Sequence, residues 1–219
     1  MSENGRYTES IEQHFPITVM RRQLHGVSAL NDKLFAWLQD ASTRQGAGGS
    51  NAASDPAIST QGGYQTSKRT NIFTLDRPEI RQLRDRYILP AVHAYLRNVY
   101  GEQARDFDPH VIGWANLLAR GDWQSPHMHP SETNLASAVY YVHLPALDPP
   151  EGCIEFINPH PVSVHHGFQT TRRIVPEEGL LLLFPPFYLH YVHPFRGEGE
   201  RAIVAFDVLA RQGALELGF

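Results

Sequence analysis

Histidine is concentrated in the second half of the chain, at a spacing that metal sites on β-strands use. The segment His127-Met128-His129 places two imidazoles two residues apart, so on a strand both point to the same face. A third imidazole, His190, follows a continuous apolar run and two prolines. His193 would face the opposite way from His190 and is the less favoured candidate. The spacing predicts a metal centre of His127, His129 and His190 that is open on one side.

Arg201 is the second feature that points to chemistry. It begins the largely apolar segment 201–207, directly after a glycine-containing turn. An arginine that points inward from such a strand is costly unless it meets an anion, so inward placement implies an anionic ligand. An outward arginine paired with Glu198 or Glu200 fits the pattern equally well. The residues alone leave both orientations open.

The composition limits the classes of protein. A chain of 219 residues with 42% hydrophobic content can bury one sizeable core, so a single domain over 1–219 is expected. The net charge of −4, without a run of Lys or Arg, gives no basic footprint for nucleic acid or an anionic membrane. The lone Cys153 excludes an intramolecular disulfide, and residues 1–6 lack an apolar signal core. A cytoplasmic location is expected.

Residues 1–106 predict helices and a long loop that support the second half of the chain. Residues 17–20 predict a short strand, and apolar residues recur at helical spacing over 28–41. The composition of 41–63, rich in Ala, Ser, Gly and Asn, predicts a mobile loop; a lid over the site and a plain surface loop fit it equally. A second helix is expected from about 76 to 99, kinked or divided by Pro90.

From about residue 107 the pattern changes to short strands separated by Pro, Gly and Asp turns. The expected strands are 110–118, 126–130, 136–145, 152–157, 161–168, 172–175, 179–184, 188–193 and 201–209. Strands of this number and length predict a mainly β fold with flanking helices, a double-stranded β-helix or cupin-like jelly roll with N-terminal supporting helices. The catalytic core is expected over 107–211.

Residues 110–209 resemble the iron(II)- and 2-oxoglutarate-dependent dioxygenases, in particular a bacterial group of 2OG-Fe(II) oxygenases related to the prolyl hydroxylases. The segments that carry the resemblance are His127-Met128-His129, Ser137-Ala138-Val139-Tyr140-Tyr141-Val142, Leu189-His190-Tyr191-Val192-His193-Pro194 and Arg201-Ala202-Ile203. The segment 62–66 is similar to a stretch found before the barrel in that group.

The resemblance implies a ligand set with one departure from the family pattern. In the family the usual ligands are His-x-Asp or His-x-Glu followed by a distal His. By position, His127 and His190 match the two histidines, whereas His129 occupies the place of the carboxylate. Imidazole binds iron well, but the replacement removes one negative charge from the metal site.

A carboxylate elsewhere in the chain is the alternative third ligand. Glu132 lies three residues past His129, where a turn could fold it back, and Asp122 and Glu155 are the other nearby acidic residues. His129 is retained as the expected ligand.

The resemblance also implies the cosubstrate contacts. Arg201 matches the arginine that binds the distal carboxylate of 2-oxoglutarate, and Tyr141 matches a tyrosine that assists it. Asn116, on the preceding strand, is at a position where related enzymes place a polar cosubstrate contact. Trp114 and Trp123 fit either the cavity wall or the core.

The implied activity is hydroxylation of a small-molecule or peptide substrate with Fe(II) and 2-oxoglutarate, and release of succinate and CO2. Two rival interpretations are a cupin-type three-histidine metalloenzyme that does not use 2-oxoglutarate, and a non-catalytic jelly-roll binding module. No nucleic-acid or membrane partner is expected. The substrate stays open, as does the oligomeric state, for which a homodimer is one hypothesis.

Overall fold

The computed structural model describes residues 16–45, 59–67, 70–160 and 169–211. Within these ranges the helical segments are α1 (Ser28–Gln45), a 3-10 turn (Ile72–Thr74), α2 (Pro78–Gln82), a π-helical segment (Leu83–Ile88), α3 (Leu89–Tyr100) and a 3-10 segment (Gly101–Arg105). The strands are β1 (Met20–Gln23), β2 (Thr60–Gln61), β3 (Tyr64–Gln65), β4 (His110–Leu118), β5 (Trp123–His127), β6 (Asn134–His143), β7 (Ile154–Ile157), β8 (Thr171–Ile174), β9 (Leu180–Phe184), β10 (His190–Val192) and β11 (Arg201–Leu209).

The strands form two antiparallel sheets, which confirms the mainly β jelly roll expected from the sequence. The larger sheet has the order β1-β9-β6-β11-β4-β3, and the smaller sheet has the order β2-β5-β10-β7-β8. Neighbours in each sheet come from distant parts of the chain, for example β6 beside β9 and β11. This crossing pattern brings β5 and β10, which carry histidines, into direct contact.

The helices cover the outer face of the larger sheet. α1 packs against β6, where the Tyr140 hydroxyl donates a hydrogen bond to Asn31 Oδ1 at 2.6 Å. Leu34, Leu38 and the alternate residues of the sheet form the outer core. None of the helices in the described ranges has the length and apolar character needed to cross a bilayer.

Pro90 divides the second long helix without ending it. The π-helical segment Leu83–Ile88 comes directly before Pro90, and the N–H of Leu89 bonds to the carbonyl oxygen of Arg84. Proline lacks an N–H and its ring collides with the carbonyl of an ideal preceding turn. The wider π turn accommodates the ring, and α3 then continues to Tyr100.

Several predicted boundaries were wrong. The strand expected at 17–20 lies at Met20–Gln23. It is an edge strand of the larger sheet, where the side chains of Arg21 and Arg22 can keep contact with solvent. The segment 41–63, predicted as a loop, contains the end of α1 and the short strand β2. The helix continues to Gln45 because no Gly or Pro interrupts it before residue 46. Its middle, 46–58, and the strand expected at 161–168 lie outside the described residues.

The inner core lies between the two sheets. Leu182, Phe184 and Ile203 from the larger sheet pack there with Ile154 and Phe156 from the smaller sheet. β9 is buried along its whole length, since its alternate residues pack into the outer core. The burial on both faces confirms the interpretation of its continuous apolar sequence.

Glu155 is the buried acid that stabilises the smaller sheet from its outer face. Its carboxylate accepts hydrogen bonds from Thr171, from Arg173 at 3.0 Å and from His193. Burial alone would raise the pKa of Glu155, but these hydrogen bonds outweigh it and hold the pKa below its ordinary value of 4.5. The carboxylate therefore stabilises the fold above that pH, and the contribution is lost as the pH falls through the lowered folded-state pKa.

We expect Glu155→Ala to lower the free energy of unfolding by about 2 kcal/mol at pH 7, because it removes the shared acceptor of hydrogen bonds from Thr171, Arg173 and His193. Urea unfolding followed by circular dichroism measures the change. Glu198→Ala, which removes an exposed carboxylate paired with Arg120, is the matched control and should change the stability little. Equal effects of the two substitutions would contradict the assigned role of Glu155.

Candidate metal and cosubstrate site

His127 and His190 lie opposite each other on neighbouring antiparallel strands. β10 pairs with β5 in a register that places His190 directly across from His127, and their ring centroids are 4.3 Å apart. Beyond His127 the main chain leaves the sheet, and the N–H of His129 bonds to the carbonyl oxygen of Pro186 at 2.8 Å. β5 therefore covers 123–127 rather than the predicted 126–130. The imidazole of His129 still turns toward the other two rings.

The three predicted histidines converge on one point. One ligand atom from each of His127, His129 and His190 lies within 4.8 Å of the others, so small side-chain rotations would bring all three onto one ion. His190 is buried, whereas the other two are partly exposed. A metal held there keeps contact with solvent on one side, as a catalytic ion requires.

Main-chain oxygens fix the orientation of two of these rings. Nδ1 of His127 is 2.6 Å from the carbonyl oxygen of Ser125, and Nδ1 of His190 is 2.8 Å from that of Tyr188. A carbonyl only accepts, so each Nδ1 carries the proton, and Nε2 is the ring nitrogen that would bind a metal. Burial, and then the neighbouring His127, lowers the pKa of His190 to about 3. At neutral pH this ring is already in the form that binds a metal.

The acidic residues considered as replacement ligands lie elsewhere. Glu132 is exposed. Asp122 accepts a hydrogen bond from the N–H of Ala119 at 2.7 Å, and Glu155 is engaged on the outer face of the smaller sheet. In the described part of the chain, none of them belongs to the histidine cluster. His193 faces away from the cluster and contacts Glu155, as its spacing from His190 predicts.

Arg201 points inward, which decides between the two orientations left open by the sequence. Its side chain is only 1% exposed and lines the same cavity as the three histidines. Among the described residues its Nε and Nη1 have no hydrogen-bond partner, and the guanidinium carbon lies 5.2 Å from the centre of the Tyr141 ring. Burial lowers the pKa of Arg201. A buried cation with unused donors is a binding site for an anion.

Tyr141 stands beside Arg201 with its own hydroxyl unpaired. The side chain is fully buried and lines the cavity, and its oxygen has no hydrogen-bond partner within the described ranges. Burial raises the pKa of Tyr141, so the hydroxyl keeps its proton as a donor at neutral pH. Arg201 and Tyr141 thus present several N–H and O–H groups to the same space.

The structure places Asn116 in a neighbouring polar network. Its amide nitrogen donates to Thr60 Oγ1 at 3.0 Å, and Gln124 donates to the same oxygen at 3.2 Å. Asn116 Oδ1 has no partner among the residues that the structure describes, but the residue is absent from the cavity wall. Its role as a cosubstrate contact stays a prediction. Gln124, which the sequence did not single out, does line the cavity.

The two tryptophans have different positions. Trp114 is buried, lines the cavity and stacks on His129 with ring centroids 5.7 Å apart. Trp123 is 37% exposed. Trp114 therefore limits the movement of one predicted ligand, while Trp123 lies outside the cavity wall.

Asp207 and Ser137 are site residues that sequence reasoning missed. Asp207 Oδ2 lies 3.5 Å from Nδ1 of His129, and Ser137 donates a hydrogen bond to Asp207 Oδ1 at 2.7 Å. The signal was present, since a carboxylate occurs in the otherwise apolar strand that Arg201 begins, six residues further on. Its partner His129, however, follows a strand of the other sheet.

Comparison with known proteins gives one family and several similar structures. Residues 113–207 match the family described as "Putative 2OG-Fe(II) oxygenase". These residues include the three histidines, Tyr141, Arg201 and Asp207. A comparison with curated proteins finds no match.

Solved oxygenase structures share the fold. A prolyl-4-hydroxylase of Pseudomonas putida superposes with a TM-score of 0.60 at 14% identity, over 88% of this chain and 92% of its own. A Trichoplax adhaerens prolyl hydroxylase, solved with a peptide fragment of hypoxia inducible factor, gives 0.59 at 13% identity, over 88% and 83%. HygX of Streptomyces hygroscopicus, solved with nickel, 2-oxoglutarate and hygromycin B, gives 0.55 at 14%, over 89% and 83%.

Proposed function

We propose that this chain, which belongs to the 2OG-Fe(II) oxygenase superfamily through residues 113–207, hydroxylates a small-molecule or peptide substrate with Fe(II) and 2-oxoglutarate. One observation carries the proposal. A cluster of three histidines lines the same cavity as a buried arginine that has no anionic partner in the part of the chain that the structure describes. A metal site alone needs no such arginine, and an anion site alone needs no such cluster.

The residues present fit iron. His127, His129 and His190 would hold Fe(II) through imidazole nitrogens, a donor that suits this metal. Three protein ligands leave further coordination positions for small molecules. Iron bound there supplies the activation of dioxygen that couples oxidation of 2-oxoglutarate to succinate and CO2 with hydroxylation of a C–H bond.

The residues also fit 2-oxoglutarate. This cosubstrate is a dicarboxylate, so one end can reach the metal while the other end meets a cation. Arg201 would donate N–H groups to the distal carboxylate, and the Tyr141 hydroxyl would donate to it as well. These unused donors in the cavity are the feature that favours a dicarboxylate over a neutral ligand.

The chain's own contribution is orientation and exclusion of water. The cavity wall between Arg201 and the histidines is largely apolar, with Val139, Ile203 and Phe184 among its residues. Hydrogen bonds to charged groups are stronger in such a wall than in water, and fixed donors position the cosubstrate before reaction. The substrate would reach the histidines from their exposed side.

We expect the purified protein, supplied with Fe(II), 2-oxoglutarate and oxygen, to form succinate slowly even without its substrate. Omission of iron, or replacement of Fe(II) by Zn(II), should abolish the product, since zinc has no accessible redox change. Mass spectrometry measures the succinate. Absence of both succinate formation and 2-oxoglutarate binding by the iron-loaded protein would overturn the proposed function.

A three-histidine metalloenzyme that does not use 2-oxoglutarate is the second candidate. The observation that favours it is His129, an imidazole where the family pattern has a carboxylate. Retained iron with no response to 2-oxoglutarate would select this candidate. The buried Arg201 favours the first, because the second gives its guanidinium no anion.

The proposal extends to the setting of the enzyme. We infer one domain over 1–219 and a cytoplasmic location, supported by a buried free thiol at Cys153, the single cysteine of the chain. No nucleic-acid partner is proposed, in keeping with the net charge of −4. A homodimer is a hypothesis that light scattering would test.

A further inference from the structure

Asp207 faces the barrel interior at the end of β11 opposite to Arg201. Side chains along this strand alternate, so the odd-numbered positions 201–207 line the cavity and the even-numbered positions pack in the outer core, with Phe206 also reaching the cavity wall. Asp207 lines the cavity, and its carboxylate lies 3.5 Å from Nδ1 of His129. Both side chains are mostly buried, with 20% of Asp207 and 12% of His129 exposed. Their interaction is therefore only weakly screened by solvent.

The carboxylate of Asp207 is itself held in place. Its other oxygen accepts a hydrogen bond from the Ser137 hydroxyl at 2.7 Å, and Ser137 is a buried residue of the adjacent strand β6. Asn134 donates a hydrogen bond to the main-chain oxygen of His129 at 2.8 Å. Separate hydrogen bonds thus hold the main chain of His129 and the carboxylate of Asp207 in place.

His129 differs from the other two histidines in the partner of its Nδ1. His127 and His190 face neutral main-chain oxygens, whereas His129 faces a carboxylate. Of the three histidines, His129 is therefore the one with a charged partner. It is also the one that occupies the position of the acidic ligand in the family pattern. A carboxylate behind a metal-bound imidazole fixes the ring and makes it a stronger donor.

We propose that Asp207 is a positioning residue that directs Nε2 of His129 to the metal and restores the negative charge lost with the family's carboxylate ligand. The inference rests on the proposed function for the identity of the metal. The charge then lies one imidazole further from the metal than in a His-x-Asp site. The alternative, that Asp207 binds the metal in place of His129, predicts that His129→Ala still binds iron fully.

The experiment measures anaerobic Fe(II) binding by calorimetry, without 2-oxoglutarate. Asp207→Asn keeps the shape and removes the charge, so the affinity should fall about 10- to 100-fold, the usual cost of losing such a partner. Glu132→Gln, which removes an exposed carboxylate close to His129 in sequence, should leave the affinity unchanged. The double variant His129→Asp with Asp207→Asn puts the carboxylate in the ligand position and should recover most of the affinity.

A spectroscopic measurement separates this role from a merely structural one. With iron and 2-oxoglutarate both saturating, the charge-transfer band from Fe(II) to 2-oxoglutarate should move to higher energy in Asp207→Asn, because a negative charge near the metal is lost. An unchanged iron affinity in Asp207→Asn would overturn the inference. So would full iron binding by His129→Ala, which would make Asp207 the ligand.

The two proposals fail in different ways. Wild-type protein that binds Fe(II) but neither binds nor consumes 2-oxoglutarate would overturn the proposed function, and the calorimetric comparison of Asp207→Asn with wild type would still decide the role of Asp207. Normal succinate formation by Asp207→Asn at low iron concentration would overturn the role of Asp207 and leave the function intact.

Discussion

His190→Ala should lower the affinity for Fe(II) by more than about 100-fold, whereas His193→Ala should keep it. Removal of a metal ligand lowers the metal affinity more than removal of a residue that only contacts a ligand, and the latter already lowers it by about 10- to 100-fold. His190 contributes the buried ligand of the cluster, and its low pKa means that no proton has to be displaced at neutral pH. His193 instead contacts Glu155 on the outer face.

Anaerobic calorimetry with Fe(II) measures both variants, and circular dichroism confirms that each is folded. His193→Ala is the matched control, since the same substitution is made three residues away in the same segment. It should lower the melting temperature through the loss of the Glu155 contact without affecting iron. If His193→Ala lost iron and His190→Ala retained it, the register of β10 on β5 would be wrong, and His193 rather than His190 would be the metal ligand.

The histidine cluster was predictable from the sequence because its information is local. The two-residue spacing of His127 and His129 gives a common face, and the apolar run before His190 fixes a buried strand end. The prediction held even though the main chain leaves the sheet after His127. The strand at 201–209 was also predicted, but the direction of the Arg201 side chain was not, because the residues alone fit an inward and an outward arginine equally well.

The contact between Asp207 and His129 could not be predicted in this way. Asp207 lies on the larger sheet and His129 follows a strand of the smaller sheet, and their distance depends on how the two sheets close. The boundary of β5 was missed for a related reason: the N–H of His129 bonds to Pro186, which is far away in sequence. The local preferences of a segment cannot predict contacts between residues that are far apart in sequence.

Arg201→Met should reduce 2-oxoglutarate affinity and increase the stability of the ligand-free protein. The guanidinium is buried with unused donors, so without an anion it costs free energy that a methionine of similar length would not. Loss of the buried charge pair should weaken cosubstrate binding by about 3 kcal/mol, a factor of more than about 100. The ligand-free protein should gain about 1 kcal/mol or more of unfolding free energy.

A titration of the iron-loaded protein with 2-oxoglutarate, a titration of the metal-free protein with Fe(II) and one melting curve test this expectation. The 2-oxoglutarate affinity should fall and the Fe(II) affinity should stay unchanged, because Arg201 is not among the histidine ligands. Arg196→Met, the same substitution at an exposed position of the preceding turn, should change none of the three quantities. Arg201→Lys keeps the charge but loses the planar fork, so its affinity should lie between those of Arg201→Met and wild type. A loss of iron in Arg201→Met, or a loss of stability without a loss of cosubstrate binding, would mean that this arginine supports the barrel rather than a dicarboxylate.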